Sequence, residues 1–192
     1  MNYKGYTTRE EIENYLLITI DPGFYTQIRD WAIQVEAYID LKTGRNFKAD
    51  ATAAARLFDG DGSQSILIDD CVSIDEVKVD GEVVSSDDYY LYPSNETPKT
   101  KIVLASGRFA AGRQNVKITA KWGYSVEVPD DIRAVATAFV AGIINFSDRS
   151  NSVGEVQSMT IGRYSVTYKT DQQKEDLERI YEALAMRKKI TF

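Results

Sequence analysis

Closely spaced carboxylates are the residues of this sequence that could support metal or acid–base chemistry. Asp59, Asp61, Asp69 and Asp70 lie close together in the chain, and a calcium ion requires several carboxylate oxygens. The segment Asp59-Gly60-Asp61-Gly62 has no further ligand at alternate spacing and no closing glutamate, and Asp-Gly is ordinary tight-turn chemistry. The sequence therefore predicts a turn here and no metal site.

The remaining reactive residue types do not form a catalytic set. Adjacent aspartates such as Asp87-Asp88 seldom face each other across a substrate, as glycosidase carboxylates must. Asp130 and Asp131 follow Pro129 and place negative charge at the positive end of a helix dipole. Cys71 lies among apolar residues, which indicates a buried thiol. The chain has no histidine, which excludes Ser-His-Asp and Cys-His relays. We expect no catalytic residue, no cofactor and no enzyme activity.

Composition limits the function further. The chain has 192 residues, with 23 basic and 29 acidic side chains and a net charge of −6. This balance argues against a protein that binds nucleic acid by neutralising phosphates. A single cysteine precludes an intrachain disulfide. The longest apolar run is shorter than the roughly 20 residues that span a bilayer, and the start of the chain has no secretory block. We expect cytoplasmic synthesis and no membrane segment.

Apolar residues recur at helical spacing in four stretches. A capping box from Thr7 or Thr8 starts the first helix, and Gly44 ends the second in a left-handed conformation. The predicted helices span residues 8–18, 22–43, 129–148 and 171–188. We expect them to share one core, formed by Ile28, Trp31, Val35, Ile132, Phe139, Ile143 and Ile180.

Between the second and third helices the period changes to alternation. Short β-branched or alternating runs are separated by turn residues such as Asp80-Gly81. The predicted strands are 56–58, 65–68, 74–79, 89–92, 101–104 and 116–122. A further hairpin, turning at Gly162-Arg163, precedes the last helix. The predicted class is α+β: a helical core of residues 1–50 and 125–192 with a hairpin at 156–169, and an antiparallel insertion of residues 51–124.

Tyrosines are concentrated on the predicted strands. Six of the twelve tyrosines are Tyr89, Tyr90, Tyr92, Tyr124, Tyr164 and Tyr168. Alternate residues of a strand face outward, and tyrosine is enriched at protein interfaces. For any single tyrosine a place in the core or on ordinary surface is the simpler explanation. Together they favour a protein-binding surface.

Several segments, in this order, are similar to segments of one protein family. They are Thr43-Gly44-Arg45-Asn46-Phe47, Phe58-Asp59-Gly60-Asp61-Gly62, Val79-Asp80-Gly81, Tyr89-Tyr90-Leu91, Trp122-Gly123-Tyr124, Val128-Pro129-Asp130-Asp131-Ile132 and the stretch 158–168. Their order resembles that of the head-tail connector, or adaptor, family of tailed bacteriophages. The resemblance covers nearly the whole chain, and none of its segments is catalytic.

The resemblance implies a structural virion protein located at the head-tail interface. Such a protein forms a homo-oligomeric, usually dodecameric ring beneath the portal protein, extends the DNA channel and receives a downstream stopper or tail protein. DNA passes through without sequence-specific binding. The expected portal-binding residues are Ile180, Tyr181, Leu184, Arg187, Lys188, Lys189, Ile190 and Phe192. The expected contacts with the lumen or a neighbouring subunit are Glu155, Ser158, Met159, Arg163 and Tyr164.

Two other classes of function stay open. One is a different ring subunit, such as a stopper or tail terminator. The other is a carboxylate-based hydrolase or a carbohydrate-binding module. An enzyme should be monomeric or dimeric with a concave polar pocket, whereas a ring subunit should carry a heterologous surface that closes on itself.

Overall fold

A computed structural model of the chain describes residues 3–148, 157–161, 164–168, 182 and 184–189. The fold is α+β, which confirms the class predicted from the sequence. The chain forms two compact units. The helical unit contains Met1–Arg45 and Val128–Phe192, and the β unit contains Asn46–Glu127.

Three continuous helices lie in the described part of the helical unit: α1 (Arg9–Leu16), α2 (Tyr25–Thr43) and α3 (Asp130–Asp148). A complete capping box starts α1, since the Thr8 side chain accepts the N–H of Glu11 and the Glu11 carboxylate accepts the N–H of Thr8. Within the described residues, no helix is both long and apolar enough to cross a bilayer.

The start of α2 differs from the prediction. Residues Pro22–Phe24 form a short 3-10 turn rather than the first turn of one helix spanning 22–43. Asp21 accepts the N–H of Gly23 at 2.7 Å and thereby closes this turn. The other end agrees with the prediction, because Gly44 ends α2 in the left-handed conformation with φ 67°.

The core of the helical unit lies where the apolar spacing puts it. Ile28, Trp31, Val35, Ile132, Phe139 and Ile143 are all buried, and Ile180 lies outside the described residues. The ring of Phe139 meets Tyr38 edge to face, with centroids 6.0 Å apart. A polar contact joins the N-terminal segment to α3, since the hydroxyls of Thr7 and Thr137 are 2.7 Å apart.

The β unit is one antiparallel sheet of six strands. They are β1 (Ala54–Gly60), β2 (Ser65–Val79), β3 (Glu82–Val84), β4 (Tyr89–Tyr92), β5 (Lys99–Leu104) and β6 (Gly112–Trp122). The order is β1-β6-β2-β5-β4, with β3 paired to β2. The inward residues form one core cluster that includes Ile66, Ile102, Val116, Ile118 and Trp122.

The long strand β2 corrects the prediction of two strands at 65–68 and 74–79. Its first part pairs with β5 and its second part with β6, and the register shifts at three places, between Leu67 and Cys71, Cys71 and Ser73, and Ile74 and Glu76. Bulges of this kind bend a strand and break the alternation of side chains. One bent strand therefore gives the sequence pattern of two short ones.

The hairpin before the C-terminal segment is confirmed. Strands β7 (Gln157–Ile161) and β8 (Tyr164–Tyr168) pair in antiparallel register, with Ile161 opposite Tyr164. The turn residues Gly162 and Arg163 lie outside the described residues. Of the helix predicted over 171–188, residues 182 and 184–186 are helical, and residues 171–181 and 183 lie outside the described part.

Replacing Phe139 by alanine should lower the free energy of unfolding by about 3 to 5 kcal/mol, because it empties a buried aromatic site. Leu41→Ala is the control: Leu41 is exposed, so its loss should stay within about 0.5 kcal/mol. Urea unfolding of both variants measures the difference. Equal effects of the two substitutions would contradict the assignment of Phe139 to the core.

Candidate interaction surfaces

A buried carboxylate holds the N-terminal segment onto α2. Glu36 is 2% exposed, and its oxygens accept the backbone N–H groups of Lys4, Gly5 and Tyr6 at 2.8, 2.7 and 2.8 Å. Burial raises the pKa of Glu36, and these three donors act against that rise. A buried carboxylate is tolerated only when its acceptor sites are filled, so the segment and Glu36 stabilise each other.

A pocket of about 340 Å³ lies between this segment, α1 and α2. Its floor is apolar and includes Ile12, Ile28 and Ala32, all buried. At its rim the guanidinium of Arg9 lies 4.6 Å from the ring centre of Tyr25, and that of Arg29 lies 5.9 Å from the ring centre of Tyr3. The described lining contains no carboxylate. Such a pocket suits an apolar group and offers no acid–base pair.

Three of the clustered aspartates, Asp59, Asp61 and Asp69, form hydrogen bonds or an ion pair within the β unit. The Asp59 carboxylate accepts the N–H of Gln114 at 2.6 Å, and Asp61 accepts the N–H of Ser63 at 2.8 Å. The hydrogen bonds from Ser63 lower the pKa of Asp61. Asp69 forms an ion pair with Arg56 at 2.6 Å. Over the described residues, no group of three or more His, Cys, Asp or Glu could hold a metal ion.

Cys71 is a buried thiol, as the sequence predicts. Its side chain is 0% exposed, and its sulfur lies 3.7 Å from the carbonyl oxygen of Lys99. Burial, together with the nearby charge of Asp70, raises the pKa of Cys71 from 9.0 to about 12. A thiol that stays protonated is a poor nucleophile at neutral pH.

Two of the predicted surface tyrosines do face outward. Tyr90 and Tyr92 are exposed on β4, opposite Val103 and Lys101 of β5. The ammonium group of Lys101 lies 5.1 Å from the ring centre of Tyr92. Tyr89, by contrast, packs against the core of the β unit. We call the exposed pair Tyr90 and Tyr92 the tyrosine face.

The C-terminal segment, residues 184–189, is attached to the helical unit. The side chain of Arg187 donates to Asp131 at 2.9 Å, and its carbonyl oxygen accepts from Arg45 at 2.9 Å. The N–H of Lys189 donates to the Thr43 carbonyl oxygen at 2.7 Å. Of the predicted portal-binding residues, Leu184 is buried and Lys188 is exposed. Sequence reasoning missed these attachments.

The other predicted contact residues stay predictions. Six lie outside the described residues: Glu155, Arg163, Ile180, Tyr181, Ile190 and Phe192. Three lie in the hairpin, where Ser158 pairs with Thr167, Met159 with Val166 and Tyr164 with Ile161.

Solved structures share this fold over its whole length. One is described as the neck of an empty gene transfer agent particle, computed with C6 symmetry. It matches with a TM-score of 0.58 and 12% identity, covering 100% of this chain and 94% of that chain. Another, described as the virion of a native gene transfer agent particle, matches with a TM-score of 0.51, 15% identity and the same coverage of 100% and 94%. The resemblance to connector proteins is thus confirmed at the level of the fold.

Sequence comparison gives a different and shorter match. Residues 53–130 match the model of a family described as heme-binding protein Shr-like, Hb-interacting domain. This match covers essentially the β unit and less than half of the chain. No curated protein matches the sequence.

Replacing Glu36 by glutamine should lower the free energy of unfolding by about 1 to 3 kcal/mol, because the amide group of glutamine would face a buried N–H donor and leave it unpaired. Hydrogen exchange at Lys4, Gly5 and Tyr6 should accelerate in the variant. Glu96→Gln, which removes the same charge from an exposed site, is the control and should change neither quantity. Unchanged exchange at the three amides would show that Glu36 does not hold the segment.

Cys71 should react with a disulfide reagent at pH 8 only as fast as the protein opens, because its raised pKa leaves almost no thiolate in the folded state.

The raised pKa of Cys71 also makes the stability of the protein depend on pH. The unfolded chain loses the thiol proton near pH 9 and the folded chain only near pH 12, so this contribution is present below pH 9 and is lost as the pH rises. Cys71→Ala should reduce that alkaline loss. Rapid labelling in the absence of denaturant would contradict the burial.

Proposed function

We propose that the chain is a head-tail connector subunit, an adaptor that forms a ring under the portal vertex of a tailed bacteriophage or a related particle. The observation that carries the proposal is the likeness in fold to a neck chain, which extends over 100% of this chain and 94% of the other. The order of the connector-like segments in the sequence supports the same class independently. The proposal assigns the protein a structural role and no catalytic one.

The charge of the chain suits a DNA channel. A net charge of −6 repels phosphates weakly, and that repulsion is screened over about 8 to 10 Å at physiological salt. A basic lumen would instead hold the DNA through its phosphates. An acidic ring extends the channel and lets the genome slide through it without sequence-specific binding.

The portal-binding surface in this proposal is the C-terminal region from Ile180 to Phe192. Its described part is held against the helices, since Arg187 and Lys189 are hydrogen-bonded to α3 and α2. Leu184 is buried and therefore supports this surface from within. Lys188 is exposed and can meet acidic groups. Residues Ile190 and Phe192 supply the apolar anchors that concentrate binding energy at an interface.

Contacts with the lumen or with a neighbouring subunit are assigned to Glu155, Ser158, Met159, Arg163 and Tyr164. The ring is dodecameric, as the resemblance implies. The neck particle computed with C6 symmetry supports a rotationally symmetric arrangement of this kind. We assign this protein to the head-tail interface of the virion, after its synthesis in the host cytoplasm.

The tyrosine face of the β unit is assigned to the downstream stopper or tail protein. Exposed tyrosines give a large contact area at low conformational entropy cost. The family matched by residues 53–130 is described as an Hb-interacting domain, and a domain that binds another protein is compatible with a protein-binding role for this unit. Under the alternative function, a stopper or tail terminator, the same face would meet other partners within the neck.

Replacing Ile190 and Phe192 together by serine should abolish co-sedimentation with portal rings and leave the melting temperature unchanged, because the two apolar anchors are lost. The control carries Leu57→Ser and Leu67→Ser, two exposed apolar residues of the β unit, and should still bind portal. Binding of the first variant at wild-type affinity would move the docking surface elsewhere, most directly to the 158–168 hairpin.

Ring formation itself is tested by negative-stain imaging of the full chain, alone and mixed with its portal protein. Rings on the portal, with the subunits in rotational register, are the expected result. A protein that stays monomeric in both conditions and does not bind portal would overturn the proposed function.

A further inference from the structure

In the helical unit, the exposed apolar side chains are concentrated at the two ends of α2. Over the described residues, the three most exposed large apolar side chains are Leu17, Met186 and Leu41, at 90, 86 and 81%. Leu17 lies in the connection that leads into α2. Leu41 lies in the last turn of α2. Met186 is placed near this end by the next residue, Arg187, whose carbonyl oxygen accepts a hydrogen bond from Arg45 just beyond α2. Clustered apolar exposure of this kind indicates a contact surface.

The first cluster, which we call the acidic end, lies in the last turn of α1 and the connection between α1 and α2. Its exposed side chains are Tyr15, Leu17, Ile18, Asp21 and Phe24. Leu17 caps α1 in the left-handed conformation, with φ 56° and its N–H donated to the Glu13 carbonyl oxygen. Glycine is the usual residue at such a cap, because a side chain there is strained. A strained leucine that is almost fully exposed is therefore not explained by the stability of the monomer.

Exposed carboxylates lie at this end, in a stretch that Arg9 and Arg29 flank. Residues 10–28 include Glu10, Glu11, Glu13 and Asp21 and contain no lysine or arginine. The carboxylates of Glu11 and Glu13 form ion pairs with arginines of the same chain. Glu10 and Asp21 are exposed, and Asp21 lies between the exposed apolar residues of the cluster. The Asp21 carboxylate can therefore contact a cation of a partner while the neighbouring apolar side chains contact apolar groups of the same partner.

The second cluster, which we call the basic end, combines Leu41, Lys42, Arg45, Met186 and Lys188. Cations at the end of a helix also suit its dipole. That effect does not explain the exposure of Leu41 and Met186. The two ends thus share an apolar character, and the exposed Asp21 and Lys42 give them groups of opposite charge.

We propose that the acidic end of one copy of this chain binds the basic end of the next copy, with Asp21 facing Lys42. The 19 residues of α2 hold the two ends about 28 Å apart, so they cannot meet within one chain. Contact between two different surfaces is heterologous, and it generates a ring when the rotation closes. This inference rests on the proposed function and names the neighbour contact of its ring. Met186 and Lys188 also belong to the region assigned to the portal, whereas Leu41 and Lys42 lie outside it. A change at Lys42 therefore tests the neighbour contact alone.

A charge swap tests the pairing. Asp21→Lys and Lys42→Asp, each alone, should raise the concentration for half-maximal ring assembly on portal by roughly tenfold or more, because like charges then face each other. The double variant, Asp21→Lys with Lys42→Asp, should return it close to the wild-type value. The matched controls Asp87→Lys and Lys117→Asp change the same charges at exposed sites of the β unit and should assemble like the wild type.

The turn that Asp21 closes needs its own control, because Asp21→Lys also removes the acceptor for the N–H of Gly23. Asparagine caps as well as aspartate does, so Asp21→Asn keeps the turn and removes only the charge. It should keep the wild-type melting temperature and still weaken ring assembly. Recovery in the double variant makes the same distinction, since a change at Lys42 cannot replace a lost cap.

Leu17→Gly separates contact from stability. It relieves the left-handed leucine and should leave the melting temperature unchanged or raised, while it weakens ring assembly. Single charge variants that assemble normally, or a double variant that stays defective, would overturn the pairing while portal binding and the proposed function stand. A wild-type protein that neither binds portal nor forms rings would overturn the proposed function, and this inference with it.

Discussion

The helical unit depends on the way Glu36 is buried. A carboxylate in the interior is unfavourable unless its oxygens accept hydrogen bonds, and here the N–H groups of Lys4, Gly5 and Tyr6 supply them. This fixes the path of the chain before α1. It brings the Thr7 hydroxyl to Thr137 of α3 and places one wall of the apolar pocket. The order of α1, α2 and α3 around one core follows from a polar interaction as much as from the apolar stripes.

The β unit depends on a comparable constraint at one corner of its sheet. Asn115 accepts the N–H of Gly60 at 2.9 Å and donates to the Ala110 carbonyl oxygen at 3.0 Å. A Cβ at Gly60 would lie 2.0 Å from that same carbonyl oxygen, so only glycine allows the backbones to approach. The register of β1 on β6 shifts at this point. A register shift of this kind bends the strand, so the sheet turns at this corner.

Both units place their apolar surplus at positions that a stable monomer does not require. In the helical unit it lies mainly at the two ends of α2, and in the β unit it includes the tyrosine face and the exposed Leu57, Leu67, Val83 and Val126. A subunit of a ring needs contacts with two neighbours and with components above and below. Several such surfaces on the helices and strands suit that task, and the basic end shares Met186 and Lys188 with the region assigned to the portal.

The sequence by itself determined the helices, most strands and the hairpin, because their signals are local: the capping box at Thr8, Gly44 at the end of α2, and alternation in β4 and β8. It also excluded histidine chemistry and indicated the buried Cys71. Only the tertiary structure decided the rest. Glu36 lies on the face of α2 that buries Ala32 and Ile39, and this position is a weak sequence signal that Glu36 is buried. The backbone N–H groups that it accepts are 30 or more residues away in the chain, so no local pattern reveals them. The continuity of β2 through its bulges, the left-handed Leu17 and the attachment of Lys189 to Thr43 likewise arise from contacts between distant segments, which no local pattern encodes.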